Sequence, residues 1–289
     1  MKTALQKSPI PRSHAFVAKR LKAPLFDPNW HFHSEYQLFV VLKGKGTKFI
    51  GDNVRRYVEG DITFTGPNLP HLWRSDHEGS SRNDEHGSEG IVVYFHKEFL
   101  GETFMMMEEA IKLRSLLNKS LRGLNIYGGT AIKVQKMILR LLQVDGFDRV
   151  LELLNILNLL SESSEIELLA SPGYVNTQKE GDTERMNKVY TYVMKNYQQK
   201  MSISILAELT NMTPTSFSRY FKTHANRTFS EFVSEIRVGH ACKLLIDKKM
   251  NASQACYQSG FQTLSNFNKQ FKTITKRTPV GYKKEYGAL

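Results

Sequence analysis

Apolar and polar positions change period along the chain. Between residues 24 and 96 they fall in short alternating or continuous runs, such as Tyr36-Gln-Leu-Phe-Val-Val-Leu, Gly46-Thr-Lys-Phe-Ile and Gly90-Ile-Val-Val-Tyr-Phe, separated by Gly, Asn and Pro. A two-residue period places side chains on alternate faces of a strand, so these runs predict many short strands, hence a sandwich or barrel. From 103 to 161 the period becomes helical, over 105–117, 130–144 and 148–160. The third helix reads Arg149-Val-Leu-Glu-Leu-Leu-Asn-Ile-Leu-Asn-Leu-Leu and is apolar over too broad an arc for one covered face. Either it is buried within its own chain, or one side meets the same helix of a second subunit in a symmetric dimer. Residues 161–183, rich in Ser, Gly, Pro, Lys and Glu, are expected to be a linker.

The rest is helical. Met186, Val189, Tyr190, Val193 and Met194 share helical spacing; Ser202 or Ser204 caps a short helix; Asn211-Met212 turns; Thr213 and Pro214 open a helix to about Ala225. A long helix follows from Thr228 to about Asp247. Asn251 then caps 252–258, Gly260 turns, Thr263 caps another helix, and Thr278-Pro279 is expected to end the unit. Short helix, tight turn and second helix is the helix-turn-helix plan, and it occurs twice. Phe217, Phe221, Lys222, Thr223, Arg227 and Thr228 recur fifty residues on as Phe267, Phe271, Lys272, Thr273, Arg277 and Thr278. In each copy the phenylalanines share one helix face, and polar and basic residues are turned away from it.

Charge narrows the partner. The chain carries +12, and residues 184–289 hold 17 Lys and Arg against 6 Asp and Glu, leaving 23 against 22 for residues 1–183. A balanced front half joined to a basic repeated helical tail suits a soluble module attached to a polyanion binder. A lysine run alone more often marks a solvated face, but its repetition in register favours a ligand. No stretch approaches the roughly 18 apolar residues that span a bilayer, and the first twenty residues lack a signal-peptide core, so a cytoplasmic protein is expected. Cys242 and Cys256 suit buried thiols better than a disulfide.

Arg237-x3-Ala241-x2-Leu244-Leu245, Gly260-Phe261, Ser265-x-Phe267, Phe271-Lys272 and Thr278-Pro279 together resemble the AraC/XylS transcription regulators over roughly residues 184–286. The resemblance implies two recognition helices in successive major grooves of double-stranded DNA. It places Thr215, Ser216, Ser218, Arg219, Leu264, Ser265, Asn268 and Lys269 at the base-reading positions, with Lys222 and Lys272 beside them. Lys269 stands where the family usually has arginine, and Ala252, Ala255 and Cys256 where it has a bulkier set. The second head is therefore expected to add more phosphate affinity and less base discrimination than the first.

In the front half, His31-x-His33-x3-Gln37-x6-Gly44 and Gly60-Asp61-Ile-x3-Gly66-Pro67-x2-Pro70-His71 resemble the two cupin motifs. That likeness implies an effector site at His31, His33, Glu35, Tyr36, Gln37, His71 and Trp73. Metal cupins carry glutamate at the Gln37 position. His31, His33 and His71 with an amide oxygen could hold a divalent ion, or the histidines are hydrogen-bonded at strand ends; no cofactor is expected. Trp73 reads equally as an aromatic plate for a sugar or aromatic metabolite and as core. Residues 76–89 read as a loop that could cover the mouth.

The expectation is an α+β chain of two domains: a cupin-like β-barrel (about 20–100) with helices (about 103–160) forming an effector-binding and dimerisation domain over 1–160, a linker at 161–183, and a double helix-turn-helix domain over 184–289. The implied function is an effector-controlled transcription regulator, more an activator than a repressor, with RNA polymerase a possible partner and no membrane partner. The competing class is a metal-dependent cupin enzyme with an accessory nucleic-acid tail.

Overall fold

A computed structural model describes residues 10–11, 13–26, 29–76, 87–172, 174, 180–246 and 249–286. The chain divides into two compact units, 1–176 and 177–289.

The first unit contains two sheets. Strands β1 (Phe16–Ala23), β2 (Tyr36–Lys43), β5 (Ile62–Thr65), β7 (Ser88–Phe95), β8 (Leu124–Ile126) and β9 (Ile166–Leu168) form one, in the order β1-β7-β2-β5-β8-β9; β3 (Gly46–Ile50), β4 (Asn53–Tyr57) and β6 (His71–Ser75) form the other, in the order β4-β3-β6. All pairs are antiparallel. Strands β2 and β7 of the large sheet are buried on both sides, which explains why they read as continuous apolar runs. One face, with Leu38, Val40, Ile62, Phe64, Val93 and Phe95, packs on helices α2 (Ile111–Ser120), α3 (Gly128–Leu141) and α4 (Gly146–Glu162). The other face, with Phe39, Val41, Val92 and Tyr94, packs on Ile50, Tyr57 and Trp73 of the small sheet. The cupin-like barrel is thus realised as two facing sheets. A short helix α1 (Glu102–Met106) precedes α2.

Lys48 joins the two sheets. Buried at 1% exposure, its ammonium donates to Asp61 Oδ2 (2.7 Å), Thr63 Oγ1 (3.0 Å) and Asn125 Oδ1 (2.7 Å), so all three protons are used. Burial pulls the Lys48 pKa down, and Asp61 opposes that shift.

α4 runs to Glu162, and beyond it the expected linker is in part structural. β9 extends the large sheet, Arg55 forms a bidentate pair with Glu167 (2.6 Å), and Asp52 accepts from the Ser171 backbone N–H (2.9 Å). Leu169 enters the inter-sheet core. Residues 161–171 therefore belong to the first unit. Of the expected loop at 76–89, residues 77–86 lie outside the described residues, and 88–89 begin β7.

The second unit contains α5 (Glu180–Asn196), α6 (Ile203–Leu209), α7 (Pro214–Ala225), α8 (Phe229–Ile246), α9 (Ala252–Gln258), α10 (Leu264–Thr275) and α11 (Pro279–Tyr286). Caps fall where the sequence places them: Ser202 accepts from Ser204 N (3.2 Å), Thr213 from Ser216 N (3.2 Å), and Thr263 from Asn266 N (3.3 Å). Asn251 and Gln254 close a capping box. Asn226 and Lys276 end α7 and α10 in the left-handed region, at φ 51° and 59°. Thr278-Pro279 does not close the unit. Thr278 Oγ1 accepts from Gly281 N (3.1 Å) and Pro279 begins α11, because threonine and proline form a helix start.

Candidate functional site: a nucleic-acid interface and a histidine mouth

The duplication runs deeper in the packing than in the residue identities. Phe217 and Phe221 are fully buried, as are Phe267 and Phe271. Phe221 meets Phe232 at 5.3 Å between ring centroids, and Phe271 meets Tyr282, fifty residues on, at 5.5 Å. Arg227 pairs with Glu235, and Arg277 Nε donates to Glu285 Oε2 at 2.7 Å. The acidic partners Glu235 and Glu285 also lie fifty apart. They escaped the sequence reading because they sit eight residues beyond their arginines, in α8 and α11. Extending the fifty-residue comparison past Thr228 would have found them.

This packing sorts the repeated cations. Arg227 and Arg277 are tied down within the fold. Arg219, Lys222, Lys269 and Lys272 are exposed and make no ion pair among the described residues, Glu231 acting on Lys222 only at longer range. Thr215, Ser216, Leu264, Ser265 and Asn268 are exposed with them, at the N-terminal and outer parts of α7 and α10. Ser218 is exposed too, but its hydroxyl donates to Pro214 O (2.9 Å), and Ser216 Oγ accepts from Thr213 (3.0 Å). Of the two, only Ser218 has to give up a local bond to donate to a base, because the Ser216 hydroxyl accepts its bond. Each recognition helix thus presents hydroxyls or an amide in its first turns and two cations further along, the distribution suited to base edges flanked by phosphates.

In the first unit the structure brings His31, His33 and His71 together. One ring nitrogen from each lies within 4.8 Å of the others. The backbone holds the rings: Nδ1 faces Asn29 O (2.8 Å) in His31, Glu35 O (3.0 Å) in His33 and Leu69 O (2.7 Å) in His71. With a carbonyl opposite, each Nδ1 carries the proton and each Nε2 a lone pair. His71 Nε2 is buried with no partner, and His33 Nε2 lies 3.1 Å from Gln37 Oε1. Burial and the neighbouring His31 push the His33 pKa down to about 4, and the same causes with His33 added hold His71 well below 6.5. Both rings are neutral at pH 7, the state that ligates metals. Three anchored imidazoles with an amide oxygen beside them fit a divalent ion.

The remaining predicted effector residues divide. Trp73 is buried beside the histidines, edge-on to His71 (5.5 Å) and Phe39 (4.6 Å), with its indole N–H unpartnered. Both carboxylate oxygens of Glu35 are buried without a hydrogen bond, 3.5 Å from His33 Nδ1 and 3.8 Å from His96 Nε2. Tyr36 is not in this group. It stacks on Phe95 at 5.2 Å in the helix-side core, because adjacent strand residues point to opposite faces and Gln37 takes the inner one. Tyr94, which sequence reasoning missed, stands opposite Gln37 in the β2–β7 register, edge-on to His33 at 5.1 Å. Burial and then Glu35 push its pKa up to about 12. A cavity of about 290 Å³ lies instead among Leu116, Lys119, Leu124, Leu160, Ile166 and Leu168, and none of the predicted effector residues lines it.

Comparison with known proteins agrees with both halves. Residues 206–285 match a helix-turn-helix domain and residues 23–82 a cupin domain. The class is therefore a cupin domain joined to a helix-turn-helix domain. The C-terminal match is to an AraC-type helix-turn-helix domain and covers the duplicated helices. The chain is 28% identical over 102 residues to YdeC of Bacillus subtilis (strain 168), an uncharacterized HTH-type transcriptional regulator, a match covering 35% of each chain. It is 25% identical over 116 residues to the raffinose operon transcriptional regulatory protein RafR of Pediococcus pentosaceus, covering 40% of this chain and 42% of RafR. Among solved structures, fatty-acid-bound ToxT of Vibrio cholerae aligns over 95% of this chain and 96% of its own, at 15% identity and TM-score 0.38. Among the described residues no helix is long and apolar enough to cross a membrane.

Proposed function

We propose that the protein is a sequence-specific DNA-binding transcription regulator whose cupin domain binds a small effector. The observation that carries this is the pair of recognition helices α7 and α10, packed through equivalent phenylalanines and presenting outward cations that make no ion pair among the described residues. A merely solvated face has no reason to repeat its buried half, its caps and its ion pair fifty residues later. Thr215, Ser216, Ser218, Arg219, Leu264, Ser265, Asn268 and Lys269 read bases, and Lys222 and Lys272 hold phosphates. The names of YdeC and RafR support regulation over enzymatic activity. The protein acts in the cytoplasm as a homodimer through α4, and as an activator it engages RNA polymerase. The test is selection of duplexes from a random library by the full chain at physiological salt; enrichment of no sequence refutes the proposal.

The effector site is the mouth at His31, His33, Glu35, Gln37, His71 and Trp73, with Tyr94 beside it. Its unpartnered groups are mostly acceptors: the His71 Nε2 lone pair and the Glu35 carboxylate, against one indole donor. The ring cluster of Phe26, Phe39, Tyr57, Trp73 and Tyr94 fills the space between the sheets. Both features favour a compact, donor-rich ligand over an aromatic one. The orphaned His71 nitrogen supports a second reading, in which a divalent ion supplies positive charge at the mouth. His31, His33, His71 and Gln37 would hold it. Metal analysis of the purified protein, together with a thermal-shift series with Zn²⁺, Mn²⁺ and polyols, separates the two.

A further inference from the structure

The segment after α5, residues 197–199, is held between the two helix-turn-helix units. Arg237 of α8 donates from Nε to Tyr197 O (2.7 Å) and from its terminal nitrogen to Gln199 O (2.8 Å), while its guanidinium lies 5.8 Å from the Phe261 ring centroid. Gln198 donates to Gln258 O (3.0 Å) at the end of α9. Gly260, at φ +94°, approaches so closely that a Cβ would lie 2.6 Å from Gln198 Cα and 2.7 Å from Tyr197 O. Tyr197 also meets His240 edge-on at 5.5 Å.

The body of α5 belongs to the first helix-turn-helix, where Tyr190 packs on Phe232 of its core. Its end is therefore docked on the turn of the second. α8 is shared by the two readers: Phe232 packs on Phe221 of the first, and Ala241, Leu244 and Leu245 pack with Phe261, Phe267 and Phe271 of the second. The pinned segment adds a second connection in parallel, and two connections fix an angle that one does not. The guanidinium suits this place: its planar fork bonds two carbonyls at once, and a cation there completes the C-terminal end of a helix.

We propose that Arg237 is a positioning residue that sets the spacing of the two recognition helices, so that DNA is read only when its half-sites lie at one fixed separation. This rests on the DNA-reading proposal. Each inserted base pair moves a half-site by about 3.4 Å and turns it by roughly 34–36°, and a rigid pair of heads cannot follow.

The experiment uses the full chain and the bipartite duplex that the unaltered protein selects from a random library. Inserting two base pairs between the half-sites should weaken binding by the unaltered protein about tenfold or more. Arg237→Met should bind the uninterrupted duplex more weakly, keep its affinity for either half-site alone within about twofold, and lose less than about threefold on the insertion. Arg237→Lys, able to reach one carbonyl, should fall between. If Arg237→Met fails to fold by circular dichroism, Gln198→Ala, which removes only the bond to Gln258 O, carries the same comparison. Equal insertion penalties in the variants and the unaltered protein overturn the assignment, as does a parallel loss on isolated half-sites. A library with no preferred sequence refutes instead the DNA-reading proposal beneath it.

Discussion

His33 Nε2 and Gln37 Oε1 lie 3.1 Å apart, although the proton on His33 Nδ1 is committed to Glu35 O. Two lone pairs facing at that distance need something between them, or the amide must turn its NH2 toward the ring. Ligand atoms at about 2.1 Å from a metal sit at comparable separations from one another. Gln37→Glu should therefore raise Zn²⁺ affinity roughly tenfold or more by adding an anionic donor. Titration of chelator-stripped protein measures this, and unchanged affinity removes the metal from the mouth.

Acid should loosen the first unit even without a metal. The folded protein holds a proton on His33 less tightly than the unfolded chain, about 4 against 6.5. Its contribution is thus complete above pH 6.5 and is lost as pH falls from there toward 4. At 1.36 kcal/mol per unit the contribution is about 3 kcal/mol, and His71 acts in the same direction. Unfolding midpoints of chelator-treated protein from pH 7.5 to 4.5 should decline through this window, with a smaller slope in His33→Gln.

Lys48 predicts a larger effect. Lys48→Met keeps the stem but leaves Asp61 facing a partly buried site without its cation, and Thr63 and Asn125 without their donor. Removing one member of a buried pair costs about 3–5 kcal/mol. Lys48→Met with Asp61→Leu should recover part of that loss, as a double-mutant cycle in urea would show.

Much of the second unit was legible because its signals are local. Thr213-Pro214, Asn251-Ala-Ser-Gln254 and the Phe pairs at i and i+4 each act within one helical turn, so their meaning does not depend on distant contacts. The first unit was legible in its motifs and less so in its edges. Tyr36 and Gln37 could not both face inward, but only the pairing of Gln37 with Thr65 and Tyr94 selects which one does. β9 was read as linker because Glu165 and Glu167 make it look solvated. Arg55 pairs with Glu167, and the N-terminus of α3 binds Glu165 through Gly129 and Thr130, 35 or more residues away in sequence. Partners at such separations leave no trace in a window of ten residues.

The two heads should differ in what they read. Arg219 is an exposed fork on α7, able to bond a guanine edge at two points, whereas Lys269 at the equivalent place on α10 is a point charge. Arg219→Ala should cost about 1–3 kcal/mol on the selected duplex and relax preference at one base pair, with little change on scrambled DNA. Lys272→Ala should weaken cognate and scrambled duplexes alike and reduce the salt slope by about one. Fluorescence anisotropy against both duplexes at several salt concentrations distinguishes them. Equal losses on both duplexes for Arg219→Ala would make that arginine a phosphate contact.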